Sequence, residues 1–260
     1  MNIDRVRIKR VFREYTDSYD SEDPKVRLKV EHTYRVAEIG DRIERSENSR
    51  IAEADRGLGW LLGILHDIGR FEQLRRYHTF FDSKSIDHAE LGADILFKDG
   101  LIRKFIDDEV NDNLLEKAVR CHNKLALPDG LEGRESFFAN LLRDADKVDI
   151  LKVICDTPFD DLNDFTKEEL AEAAISDDVF AEAMSHKTVN RRISKTPMDQ
   201  YINKITFVYG LVFPESIRLV KEQGYLLQML DYRTKNPETE ERLKTIRKDV
   251  MNYMDSRVKY

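Results

Sequence analysis

His66 and Asp67 stand side by side at the end of the most apolar stretch of the chain, Leu58 to Ile68, with Gly69 and Arg70 next. An imidazole and a carboxylate are costly to bury unless each is paired, hydrogen-bonded or bound to a metal. Other polar side chains fall on inward faces too. His32 has Leu28 four residues before it and Val36 four after; His122 follows Ala118 and Val119; Asp146 lies between Leu142 and Ile150. His88 opens a helical segment, with Leu91 and Gly92 three and four residues on. Taken singly, each histidine reads more readily as a hydrogen-bonded core residue than as a ligand. Together, four histidines and two aspartates spread over five helices or helix starts point to metal ligation. No HExxH or CxxC spacing is present, so spacing alone names no metal.

The elements that must carry these residues are helical throughout. Residues 2–18 place Val6, Val11, Phe12 and Tyr15 on one side. Asp23-Pro24 is a helix start, with a capping carboxylate and a proline at the first helical position. The helix it opens runs to about Glu47, burying Val26, Val30, Thr33, Val36, Ala37 and Ile43 and wetting Lys29 and Glu44. A third helix from Asn48 or Ser49 ends on the apolar stretch, where Gly59 and Gly63 permit close helix packing. Residues 69–85 lack a steady period and read as a polar, aromatic loop. Helices follow at 86–97, 101–107, 111–123 and 134–155. Thr166 to Glu169 forms a capping box, Thr196-Pro197 opens a helix through Tyr209, and 238–257 repeats Leu243, Ile246 and Val250 at helical spacing.

The totals exclude several classes. The 260 residues are 41% hydrophobic and 36% charged, with a formal charge of −7, and no basic block is long enough to track extended nucleic acid. No 18-residue apolar stretch or signal-peptide core is present, so no membrane span is expected and the protein reads as cytoplasmic. Cys121 and Cys155 belong to no paired motif, in keeping with a reducing compartment.

The ordered set His32, His66-Asp67, His88, His122, Asp146 resembles the HD superfamily of metal-dependent phosphohydrolases. The phrases LLGILHDIGRF, SIDHAELGADIL, VRCHNK and LLRDADKVDIL carry the likeness, over about residues 25–155. Asp144 competes with Asp146, but the Ala-Asp context favours Asp146. The resemblance implies an all-α HD-domain helical bundle over residues 1–155. Residues 156–260 are expected as a C-terminal helical extension packed on it rather than an independent domain. The branch of the family that cleaves cyclic dinucleotides carries a GYP motif, absent here, and has Gly-Lys where this chain has Ile68-Gly69-Arg70.

In such a site Asp67 would bridge two divalent ions, with His32, His66 and Asp146 completing one shell and His88 and His122 the other. These donors suit Fe, Mn, Co, Ni or Zn better than Ca. The implied activity is cleavage of a phosphoester of a nucleotide or related small molecule by a metal-activated water, with Asp67 and Arg70 catalytic. Arg75, Arg76, Tyr77 and His78 are expected in the following loop as substrate contacts, with Lys147 and Lys124 as weaker candidates. A second basic group, His186, Lys187, Arg191, Arg192 and Lys195, reads mainly as a wet helix face. The C-terminal apolar stripe serves either the core or a homodimer interface. The alternatives are a di-iron oxygenase on the same fold and a non-catalytic helical signalling module.

Overall fold

The computed structural model describes residues 3–258, and among them every regular element is helical, with no strand. The chain divides into two compact units, 1–146 and 147–260. The division falls inside the longest helix, residues 133–156.

In the first unit, α1 (Arg5–Thr16) starts on Asp4, whose carboxylate accepts from the amides of Val6 and Arg7. Helix α2 (Pro24–Ser46) starts as read, on Asp23 and Pro24. Its buried stripe includes Thr33, Val36, Ala37 and Ile43, but Glu44 is buried as well. The Glu44 carboxylate accepts from the amides of Gly57 and Gly59 at the start of α3 (Leu58–Leu65). Composition alone puts this charged residue on the wet face; it is buried because it serves free helix-start amides. Residues 48–55 form two short 3-10 turns rather than the opening of a long third helix.

Helices α2 and α3 pack closely. A β-carbon on Gly63 would stand 2.4 Å from the Cα of Ala37, so only glycine permits this approach. Helix α4 (Ile68–Tyr77) follows at once. The sequence suggested a loop here, and the structure corrects it. Ile68, Phe71 and Leu74 do repeat at helical spacing, but Glu72 and Gln73 are buried beside them and obscure the period. The irregular segment is the shorter 78–87, which holds one 3-10 turn at Asp82–Lys84.

Helix α5 (His88–Ala93) is capped by Asp87 and runs into a π-helical turn at Asp94–Lys98. Short α6 (Ile102–Phe105), α7 (Asp112–Cys121) and α8 (Gly133–Asp156) complete the series. Helix α5 packs on α4 and α7, and α3 on α2 and α7, around a core that includes Trp60, Phe12, Phe71 and Phe105.

The second unit contains α9 (Phe159–Leu162), α10 (Lys167–Glu172), α11 (Asp177–Met184), α12 (Pro197–Ile205), α13 (Pro214–Gln223), α14 (Tyr225–Leu230) and α15 (Pro237–Arg257). The capping box at Thr166 and Glu169 is present. Helix α12 packs against α10, α11 and α14, and α15 against α11 and α13. Leu243, Ile246, Val250 and Met254 are buried, so the C-terminal stripe serves the core. No described helix is long and apolar enough to cross a membrane.

Candidate metal centre

Five elements of the first unit bring the six residues together. His32 sits mid-way along α2, His88 is the first residue of α5, His122 follows the last residue of α7, and Asp146 lies on α8. His66 still belongs to the α3 ladder, its amide donating to the Leu62 carbonyl. Asp67 leaves it, with φ −104° and ψ 17°, and becomes the N-cap position of α4. In a continuous helix consecutive side chains point about 100° apart. The break between α3 and α4 is what turns both members of the pair to one point. All six are buried, from 0% exposed for His66 to 9% for Asp146.

The two oxygens of Asp67 face different partners. Asp67 Oδ2 lies 3.4 Å from His66 Nε2 and 3.6 Å from His32 Nε2. His32 Nε2 is 3.2 Å from Asp146 Oδ1 and 3.4 Å from His66 Nε2. On the other side, Asp67 Oδ1 lies 3.5 Å from His88 Nε2 and 3.8 Å from His122 Nε2, and those two nitrogens are 3.1 Å apart. Two His/Asp groups capable of holding divalent ions thus share one carboxylate.

The tautomers follow from the partners on the far side of each ring. His66 Nδ1 is 2.8 Å from the Gly63 carbonyl and His122 Nδ1 is 2.7 Å from that of Val119. A carbonyl only accepts, so both Nδ1 atoms carry a proton, and in the neutral rings both Nε2 atoms present a lone pair. His88 Nδ1 faces Asp82 Oδ2 at 2.7 Å. Burial opposes ionisation of Asp82, but His88, Arg70 and Gln73 hold its carboxyl well below the usual range, so it too accepts. Converging lone pairs repel unless a cation lies between them. Ligands about 2.1 Å from a shared ion sit about 3.0–3.4 Å from one another in octahedral or tetrahedral shells, close to the separations here. The donor set therefore fits two divalent ions.

Burial pulls the His66 imidazole down, but the Asp67 and Asp146 carboxylates hold it above its ordinary value. Burial disfavours a charged Asp67, yet Lys29, His66 and Arg70 keep its carboxyl far below the ordinary carboxylate value. His122 is pushed down to about 3 by burial and by His88 and His66, which leaves it neutral and free to ligate.

Several members of the site escaped the sequence reading. Lys29, assigned to the wet face, places Nζ 2.7 Å from Asp67 Oδ2. Asp82 orients His88. Asp87 caps α5 through the amides of Ala89 and Glu90 while accepting from Asn123 and from Lys124, whose Nζ lies 2.6 Å away. Lys124 thus supports the start of α5. Partners of this kind lie behind the ligands, in a relation that only the fold creates. Asp144 is also buried, but it is Asp146 that meets His32.

Arg70 is held by the Phe80 carbonyl, Gln73 and Asp82, at 2.6, 2.8 and 2.9 Å from Nη1. Its Nε is 3.7 Å from Asp67 Oδ1 and, although buried, has no hydrogen-bond acceptor among the described residues. Arg75 and Arg76 lie on α4, not in a loop, and both pair with Glu72. Tyr77 is exposed, and His78 ends α4 with φ 57°. The Lys147 ammonium stands beside Gly210, 2.9 Å from where a β-carbon there would be. Of the second basic group, His186 pairs with Asp249 and Lys195 with Asp178.

An all-helical unit with two adjacent His/Asp clusters defines the class: a metal-binding site of the HD type. Residues 30–154 match the family model of the HD domain, and the chain carries that domain followed by further C-terminal helices. No curated protein and no solved structure matches the chain. The HD domain and its clusters together support a metal-dependent phosphohydrolase-type enzyme.

Proposed function

We propose that the protein hydrolyses a phosphoester of a nucleotide or related phosphorylated small molecule, using two divalent ions. The observation that carries this reading is the division of Asp67: one oxygen toward His32 and His66, the other toward His88 and His122. His32, His66 and Asp146 would hold one ion, His88 and His122 the other, with Asp67 common to both. Divalent ions bound there supply Lewis acidity, activating water near neutral pH and offsetting charge on phosphoryl oxygens. The protein's own part is positioning. Asp82 fixes His88, the Gly63 and Val119 carbonyls fix His66 and His122, and Lys29 balances the charge of Asp67. The buried, unfilled Nε–H of Arg70, one helical turn beyond the pair, is a donor awaiting an anionic oxygen. That donor favours a phosphorylated substrate over a neutral one.

Elemental analysis joined to a phosphoester panel run with Mn²⁺, Fe²⁺, Co²⁺, Ni²⁺ and Zn²⁺ tests the reading. Two equivalents of metal and release of phosphate or of an alcohol from one panel member are expected. Asp67→Asn should lose metal and hydrolysis together. Iron in both positions with oxygen consumption and no phosphoester cleavage would sink it.

A further inference from the structure

The second unit contains a cavity of about 500 Å³, every lining residue of which belongs to that unit. Its size falls within the range of small-molecule sites, roughly 300–1,000 Å³. The walls are aromatic. Phe159 and Phe165 meet edge to face with centroids 5.7 Å apart, and Tyr201 and Tyr232 form a tilted pair at 5.3 Å. Leu170 and Met229 add apolar surface.

Into this lining comes one part-buried ammonium, that of Lys204. Its Nζ donates to the Asn163 amide oxygen at 3.2 Å, and no carboxylate among the described residues forms an ion pair with it. Burial, reinforced by the nearby charge of Arg191, pushes Lys204 down to about 8, as expected for an ammonium without a counter-ion. Lys167, also in the lining, has its ammonium 5.9 Å from the ring centre of Phe159 and likewise no described carboxylate partner. The one carboxylate of the lining, Asp156, is engaged by Lys152. Charge within the lining is thus weighted toward positive.

We propose that this cavity binds an aromatic carboxylate of one or two fused rings, its carboxylate on Lys204 beside Asn163 and its ring among Tyr201, Tyr232, Phe159 and Phe165. A single ammonium with one amide neighbour matches a singly charged group better than a phosphate dianion. The aromatic walls supply edge and face contacts to a planar ring. The site is independent of the phosphoester reading and stands or falls without it.

Isothermal titration of the full chain with 2-naphthoate, and with the uncharged 2-naphthamide of the same shape, provides the test. Naphthoate should bind at one molecule per chain, and naphthamide at least about tenfold more weakly, as the loss of a charge-assisted hydrogen bond predicts. Lys204→Met, which keeps the aliphatic stem, should lower naphthoate affinity by the same factor and abolish the difference between the two probes. Naphthoate should raise the melting temperature of the unsubstituted protein and not that of the variant, whose metal content is unchanged. Equal binding of both probes, unchanged binding by Lys204→Met, or no heat with millimolar naphthoate overturns the proposal. Should Lys204→Met fail to fold, Tyr232→Ala reads the same site through its aromatic wall, with at least about tenfold weaker naphthoate binding expected.

Discussion

Asp82 shows how a residue set behind a candidate ligand positions it. Its carboxylate fixes the proton on His88 Nδ1 and thereby aims the Nε2 lone pair at His122 and Asp67. Asp82→Asn should weaken metal binding at the His88 and His122 side by about 10- to 100-fold, leaving the His32, His66 and Asp146 side nearly intact. Competitive titration with a chromogenic chelator reads the two affinities separately. Arg70→Lys should keep the metal but lose the planar donor, lowering kcat/KM by about 10- to 100-fold, measurable on any phosphoester the protein cleaves. All six candidate ligands were visible in the sequence because a buried histidine or aspartate violates the apolar pattern around it. Lys29, Asp82 and Asp87 were not, because a charge near a helix start or in a loop violates nothing. Their roles exist only once the chain has folded.

Among the elements, the contact of α2 with α3 sets the distance between His32 and His66. Gly63→Ala would drive a methyl group into the Ala37 backbone, so the helices must part. A loss of about 1–3 kcal/mol is expected, the range for overpacking, together with reduced metal stoichiometry. Urea denaturation and metal analysis of the same preparation test both. A variant as stable as the parent would mean that the helices slide apart without cost. Helix ends were the most legible feature: Asp23-Pro24, the Thr166 capping box and Thr196-Pro197 all do what local chemistry dictates. Helix α4 was obscured because two of its buried positions, Glu72 and Gln73, are polar. Glu72 accepts from Arg76 and Tyr19, and Gln73 donates to Asp82, Ser85 and the Ile86 carbonyl. Polar side chains satisfied by tertiary partners erase the periodicity on which helix recognition depends.

At the scale of the whole molecule, stability is tied to metal and to pH. Ligands that bind only the folded chain stabilise it by mass action, about 2.7 kcal/mol at a hundredfold excess over Kd. Removal of metal by a chelator should therefore lower the melting temperature, and re-addition should restore it. Lys204 supplies a second lever. Its folded value of about 8 lies below the ordinary 10.5, so the unfolded chain keeps a proton that the folded chain releases. Stability consequently rises with pH between those two values, and the penalty is fully present below about 8. Asn163, Arg191, Lys167, Asp156, Cys155, Tyr201 and Tyr232 share its surroundings, and Cys155 and the two tyrosines, all raised by burial, act in the opposite sense at high pH. The difference between the parent and Lys204→Met isolates the lysine: the variant should be the more stable at pH 7, with its advantage shrinking as pH passes 8.

The turn of the backbone between residues 66 and 67 also makes the centre directional. Exchanging the two side chains, His66→Asp with Asp67→His, preserves composition, charge and hydropathy to the last atom. The imidazole would then stand outside α3, without the Gly63 carbonyl that selects its tautomer, and the carboxylate would lose the vantage from which it serves both neighbours. An isomer of the protein differing in nothing but the order of one dipeptide is expected to fold as a helical bundle and to hold no pair of ions.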